Sequence, residues 1–252
     1  MVKRPKKVNH LFKFLEKHHE FNQRIQRGYI QQTLASCDAV PDKARLLLFK
    51  AVNTQSQPNL DSIAKFFISL EATKNSLSSF ANFLRFLKVP GATEDQLFKA
   101  LKKQDGWGPK TAALFVKNLS IIQSTCALKS QFWRDLDKVK ATEIFLPVDA
   151  VIEHIFLKLN LKDDDSKNTA RNFNSINRCL KEDFGYANSE ISIWDDLWFW
   201  GFITQNSQMK SAPRKLGWNE SKYWSIFTAP KDEASIRNIR SLAKRFLKIL
   251  EA

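Results

Sequence analysis

Two side chains in this chain are suited by type and setting to covalent chemistry at an electrophilic carbon: the amine of Lys110 and the carboxylate of Asp149. A lysine amine adds to such a carbon and forms a Schiff base when a useful fraction of it is neutral. A carboxylate alongside stabilises positive charge as it develops there. The local sequence tunes the two in opposite directions. Lys110 follows Gly106-Trp107-Gly108-Pro109 and falls in the first turn of a predicted helix. There the positive end of the helix dipole disfavours an ammonium, and burial beside a pocket pushes the same way. Asp149 follows Leu146-Pro147-Val148 at a predicted N-cap, where backbone N–H groups favour an ionised carboxylate. The plain structural readings are a surface lysine on a phosphate and an ordinary helix cap. For an aspartate, the capping and chemical roles are compatible.

Lys110 needs a helix, a turn and a second helix to position it. Upstream, Thr93-Glu94-Asp95-Gln96 has the form of a capping box, and Leu97, Phe98 and Leu101 give one apolar face. Downstream, Ala112, Ala113, Leu114, Phe115, Val116 and Leu119 predict a buried helix. Between them stand two glycines one residue apart, which permit positive φ and close backbone approach. Pro109 fits the first helical position, where no N–H is needed. The predicted product is a hairpin over about residues 94–119 with an exposed helix N-terminus. Such an end binds phosphate without reading base sequence. The alternative is an ordinary helical hairpin with a glycine turn.

Gly106-Trp107-Gly108-Pro109-Lys110-Thr111-Ala112 resembles the Gly-x-Gly-x-Lys-x-Ala hairpin of the lyase-active members of the helix-hairpin-helix (HhH-GPD) DNA glycosylase superfamily. Leu146-Pro147-Val148-Asp149 resembles the loop that ends in that family's catalytic aspartate. The likeness covers about residues 75–160 well and the chain ends loosely. It is nearest to the compact, all-helical archaeal-type 8-oxoguanine DNA glycosylase/AP lyases. What the resemblance implies is a two-lobed all-α fold with the active site in the cleft between lobes. It further implies Lys110 and Asp149 as catalytic pair, and Gly106, Gly108 and Thr111 as phosphate contacts. The implied partner is double-stranded DNA with a damaged base, met by a monomer. Two departures stand out. The Lys110–Asp149 separation is about double that of most relatives, which an insertion near 121–145 explains. Val151 stands where many relatives place a DNA-holding histidine.

The chain has 252 residues, enough for one large domain or two small lobes. It carries 40 Lys+Arg against 26 Asp+Glu, for a net charge of +14. That excess favours a polyanionic partner, nucleic acid first and an acidic membrane surface second. No apolar run reaches membrane-spanning length. Met1-Val2-Lys3-Arg4-Pro5-Lys6-Lys7 is basic, but no signal-peptide core follows it. An intracellular, DNA-associated location is expected, in a nucleoid or a nucleus. Cys37, Cys126 and Cys179 are odd in number and widely spaced, which suggests a reducing compartment. Three cysteines also exclude the four-cysteine iron–sulfur cluster of several superfamily members. With four histidines and no ligand spacing, no catalytic metal and no cofactor are expected, beyond a monovalent cation at the hairpin.

The rest of the chain reads as helices throughout, with no convincing strand and no internal repeat. Leu11, Phe14, Leu15, His18, Phe21, Ile25 and Tyr29 predict a helix from Asn9 to about Thr33. Pro41-Asp42 starts a second, Asp61 or Ser62 caps a third, and Asn75 begins a fourth that Pro90-Gly91 ends. Phe132, Trp133, Leu136 and Val139 suggest a short helix inside the 121–145 connection. Asp149 opens the next helix. Leu161-Lys162-Asp163-Asp164-Asp165-Ser166 is a polar loop, and Ser192 caps an aromatic helix over Trp194–Trp200. Pro213 and Gly217 mark another loop, and the last helix runs from about Asp232. The expected lobes are 1–73 with 161–252, and 74–160.

A base inside a duplex must be flipped out to be excised. Leu114, one turn beyond Lys110, is at the position that packs the flipped base in oxoguanine-specific relatives. Their opposite wall is an aromatic from a late helix, for which Trp198 is the first candidate here and Trp200 the second. The bland reading of both is core. Gln205 and Asn206 are further candidates for reading base edges. The expected activity is removal of oxidised purine, 8-oxoguanine first, with strand nicking by AP lyase. The alternatives are the same chemistry on oxidised pyrimidines, a monofunctional glycosylase, or a non-catalytic module that binds duplex DNA.

Overall fold

A computed structural model describes residues 4–55, 58–161, 169–206 and 215–251. Among the described residues the chain is all-α but for one short ladder and an isolated bridge between Thr93 and Lys140. In order it forms α1 (Lys6–Ala35), α2 (Val40–Val52), α3 (Leu60–Ala72), α4 (Phe80–Phe86), α5 (Glu94–Leu101) and α6 (Pro109–Ser124). There follow α7 (Cys126–Lys129), a 3-10 turn (Leu136–Lys138), α8 (Ala150–Lys158), α9 (Thr169–Arg178) and a π turn (Cys179–Asp183). The last elements are α10 (Asn188–Trp194), α11 (Leu197–Ile203), α12 (Glu220–Ser225) and α13 (Glu233–Glu251). Strands β1 (Gln205–Asn206) and β2 (Lys215–Leu216) pair antiparallel, with Gln205 opposite Leu216. Two residues a side carry no period-two signal, which is why no strand was expected. The polar loop over 162–166 and Pro213 lie outside the described residues.

The chain divides into two compact units, one of both chain ends (Met1–Gln26, Val148–Ala252) and one of the middle (Arg27–Pro147). The divisions thus fall at Gln26/Arg27 and Pro147/Val148, not at 73/74 and 160/161 as expected from the sequence. The reason is packing. α2 lies on α6, so it belongs with the middle, and α8 lies on α11 and α13, so it belongs with the ends.

Several helix starts are set by caps other than the expected ones. The third helix is capped by Asn59, whose side chain accepts from the Ser62 N–H, so Asp61 and Ser62 lie within its first turn. Asn75 does not begin a helix; its φ of 59° is left-handed, and α4 starts after the Ser79 cap. The aromatic run breaks at Asp195-Asp196, and Ser192 is internal to α10. Thr93 does cap α5, accepting from the Gln96 N–H.

In the middle unit α6 is the central rod. Trp107 packs at 5.3 Å from Phe66 and 5.9 Å from Phe115, and Phe83 lies 5.9 Å from Phe115 and 5.4 Å from Trp133. The 121–145 connection therefore contributes to the core, through Leu128, Phe132, Trp133, Leu136 and Val139. Trp133 is fully buried, and its indole N–H donates to the Leu77 carbonyl at 2.8 Å. Asp135 accepts from the Phe80 and Ala81 N–H groups and so holds the start of α4. Truncating a buried Trp costs about 3–5 kcal/mol, more than a dispensable surface insertion loses. In the other unit Phe14 of α1 sits 5.0 Å from Trp200 and 5.7 Å from Phe246 of α13.

Candidate functional site

The hairpin of the middle unit is built on one crowded glycine and one open one. Gly106 has φ +76°, and a Cβ there would stand 2.8 Å from the backbone nitrogen of Ile63 in α3. Only glycine fits that conformation and that approach without strain. Gly108 has an ordinary φ of −100° and caps α6; where its side chain would project, nothing lies within 4 Å. Pro109 starts α6, as expected for a residue with no N–H to leave unpaired. The hairpin is tied to the end of α2 twice. Gln55 Nε2 donates to the Gly106 carbonyl at 2.8 Å, and Lys110 Nζ donates to the Thr54 carbonyl at 2.7 Å.

The candidate residues on α6 do not all face the same way. Lys110 and Leu114 are half-buried one turn apart on one face, with Lys117 continuing it. Thr111 is 2% exposed, packed within the middle unit. Its side chain is therefore not a surface contact for phosphate, because the i+1 position turns it inward. Thr54, Gln55 and Ile63 meet the hairpin, a role that sequence reasoning gave to none of them. Nothing local to them signals the role, since it arises only when α2 and α3 pack on the turn.

Asp149 belongs to the other unit. It is half-buried at the N-cap of α8, with Oδ1 accepting from Val151 N–H at 2.9 Å and Ile152 N–H at 3.0 Å. Both bonds fall on one carboxylate oxygen. Behind it, α8 packs on α11 through Gly201. A Cβ at Gly201 would stand 2.6 Å from Val151 Cγ1 and 2.6 Å from Ile155 Cδ1. Gln205, fully buried, donates from Nε2 to the Val151 carbonyl at 3.0 Å. The first turn of α8 is thus clamped from α11 and β1. Val151 is buried in that clamp. A glycine inside an aromatic helical run was the signal for this close approach.

The aromatic and amide candidates separate. Trp198 on α11 is 40% exposed and stacks on Phe202 at 5.0 Å with planes 10° apart. Lys222 Nζ lies 5.0 Å from the Phe202 ring. Trp200 is fully buried among Phe14, His18, Phe199 and Phe246, so it lines the core and not a surface pocket. Gln205 is spent on the clamp, and Asn206 Oδ1 accepts from Asn219 Nδ2 at 2.7 Å. Fully buried Gln205 therefore presents no base-reading edge outward, and Asn206 is half-buried.

A polar cluster that the sequence reading did not single out lies where α10 meets α11. Asp196 is fully buried, and its Oδ2 stands 2.9 Å from His19 Nδ1 of α1. Burial pushes the Asp196 carboxyl up to about 7, against the pull of His19, and the Asp196 contact raises His19. Beside them Gln26 Nε2 donates to Asp195 Oδ2 at 3.0 Å. Two adjacent carboxylates inside an aromatic run were the available signal.

Among the described residues no three His, Cys, Asp or Glu side chains gather as a metal site, and no helix is long and apolar enough to cross a membrane. Cys37, Cys126 and Cys179 are free thiols. No protein-family model, no curated protein and no solved structure matches this chain.

Proposed function

We propose that the chain is a base-excision-repair DNA glycosylase with AP lyase activity, of the helix-hairpin-helix kind, acting on oxidised purine and first on 8-oxoguanine in duplex DNA. The observation that carries this reading is the asymmetric hairpin: a glycine packed shut at 106, an open one at 108, and Lys110 in the first turn of the helix that follows. The open N-terminus suits a phosphate, and the lysine beside it suits the sugar that the phosphate holds. In the reaction the bond between base and anomeric carbon breaks, and the base leaves with the bonding pair and takes up a proton. The Asp149 carboxylate stabilises the cationic sugar. Neutral Lys110 forms a bond from Nζ to that carbon, the sugar ring opens to a Schiff base, and β-elimination expels the 3′ phosphate. The two-lobed arrangement of that superfamily belongs to the same proposal.

A second reading has an observation of its own. Lys110 is already tethered to Thr54, as a purely structural lysine would be. On that reading the chain binds duplex DNA through the hairpin and does no chemistry. Borohydride trapping separates the two. A covalent adduct on a duplex with 8-oxoguanine opposite cytosine, lost in Lys110→Gln, is the expected result. An adduct only on a thymine-glycol duplex keeps the mechanism and moves the substrate to oxidised pyrimidine. Duplex binding with no adduct on any lesion or abasic duplex leaves a monofunctional glycosylase or the binding module.

A further inference from the structure

The last helix has two chemically distinct sides. Ile239, Ala243, Phe246 and Leu250 of α13 are buried, at spacings of three and four residues. Arg237, Arg240, Lys244 and Lys248 recur at the same spacings on another side, and all four are exposed. At about 3.6 residues per turn these four fall in one stripe about a quarter of the helix wide, running about 16 Å along the axis. No acidic residue stands between Arg237 and Lys248; Glu233 and Glu251 occupy the two ends. Arg237 Nη1 pairs with Glu233 Oε1 at 2.9 Å, both side chains being well exposed. Arg240, Lys244 and Lys248 form no ion pair among the described residues.

The positive surface is wider than the stripe. Exposed Arg245 of α13 and exposed Lys17 of α1 both disfavour charge on His18, whose pKa is lowered first by burial and then by these two neighbours. α1 adds exposed Lys13, but there exposed Glu16 and Glu20 stand among the basic residues, whereas no acidic residue interrupts the α13 stripe. Like charges held about 5–6 Å apart on a helix repel one another unless an anion answers them. The geometry fits a linear polyanion. A lipid surface fits less well, because an amphipathic helix binds one by sinking its apolar side, and that side of α13 is buried against its own unit.

We propose that the exposed stripe Arg237–Arg240–Lys244–Lys248 is a contact surface for the sugar–phosphate backbone of double-stranded DNA, additional to the hairpin. The inference rests on duplex DNA being the partner, and not on the chemistry of Lys110.

The test is fluorescence anisotropy of an undamaged labelled duplex with the full chain, over a series of salt concentrations. It compares wild type, the quadruple variant Arg237→Gln/Arg240→Gln/Lys244→Gln/Lys248→Gln, and the conservative pair Arg237→Lys/Arg240→Lys. Each phosphate neutralised contributes about 0.9 to the slope of log affinity against log salt, so the quadruple variant is expected to lose about 3–4 from that slope. Its affinity at low salt should fall at least about tenfold, the Lys pair should keep the slope, and circular dichroism should be unchanged. A folded quadruple variant with wild-type slope and affinity overturns the proposal. So does unchanged DNA binding accompanied by lost binding to phosphatidylserine-containing vesicles, which would assign the stripe to a membrane surface. A wild-type chain that binds no duplex removes the partner itself. Trapping at Lys110, measured separately, keeps failure of the stripe distinct from failure of the proposed chemistry.

Discussion

Lys110 Nζ donates a hydrogen bond to the backbone oxygen of Thr54 at 2.7 Å, joining the first turn of α6 to the end of α2. The bond is exposed, and such a bond contributes about 1 kcal/mol or less. Lys110→Gln is therefore expected to shift the free energy of unfolding in urea by no more than about 1 kcal/mol. The same variant should lose borohydride trapping and strand nicking to the detection floor while still binding duplex. A larger stability loss, with binding lost alongside, would make Lys110 a structural residue.

The two glycines of the hairpin should respond differently to a methyl group. Gly106→Ala meets the backbone of Ile63 and keeps a left-handed φ, so a loss of about 1–3 kcal/mol or more is expected in chemical denaturation. Gly108→Ala has room and an ordinary φ, and should stay within about 1 kcal/mol of wild type. Its effect should appear in duplex titrations, as weaker binding where the backbone must approach α6. Equal stability losses in both variants would contradict the asymmetry.

Asp149 allows capping to be separated from charge. Asn is as good an N-cap as Asp, whereas Ala costs about 1 kcal/mol. Asp149→Asn should therefore unfold within about 0.5 kcal/mol of wild type, and Asp149→Ala should lose about 1 kcal/mol. Both should lose base excision on the lesion duplex by at least about 100-fold, since each removes the carboxylate. Wild-type excision by the Asn variant would reduce Asp149 to a cap.

Much of this positioning was legible because caps and turns are local. The hydroxyl of Thr93, the ring of Pro109 and the carboxylate of Asp149 each act within a few residues of themselves, and each stands where its type predicts. What was not legible depends on partners distant in sequence. Thr111 looks like a surface residue from its motif, yet α6 is packed so that it turns inward. Gln205 reads as a free polar side chain until the Val151 carbonyl is found beside it. The division at Gln26/Arg27 falls inside a single unbroken helix, where no change of composition marks it.

The Asp196–His19 pair should make the unit of the chain ends lose stability as pH rises. Asp196 is raised in the folded state from 3.8 to about 7. Its contribution is complete below about pH 4 and is lost as pH rises through about 7. His19, raised from 6.5, contributes in the same sense, fully below 6.5 and less above its folded value. Asp195 and Glu20 also face His19 and reinforce its rise. Urea midpoints measured from pH 5 to pH 8 should fall with pH, and Asp196→Asn should flatten the fall. A rise across that window, or an unchanged profile in Asp196→Asn, would contradict this assignment.

The contact of Gly201 with Val151 has a consequence for how this chain can drift. The two positions share one fixed volume, so a methyl gained at 201 has to be given up at 151 or 155. Alanine at 201 alone should push the first turn of α8 aside at a cost of about 1–3 kcal/mol. Combined with Val151→Ala it should regain part of that loss, so the two changes together cost less than their sum. Among descendants of this sequence, a larger residue at 201 should then travel with a smaller one at 151, two sites changing as one.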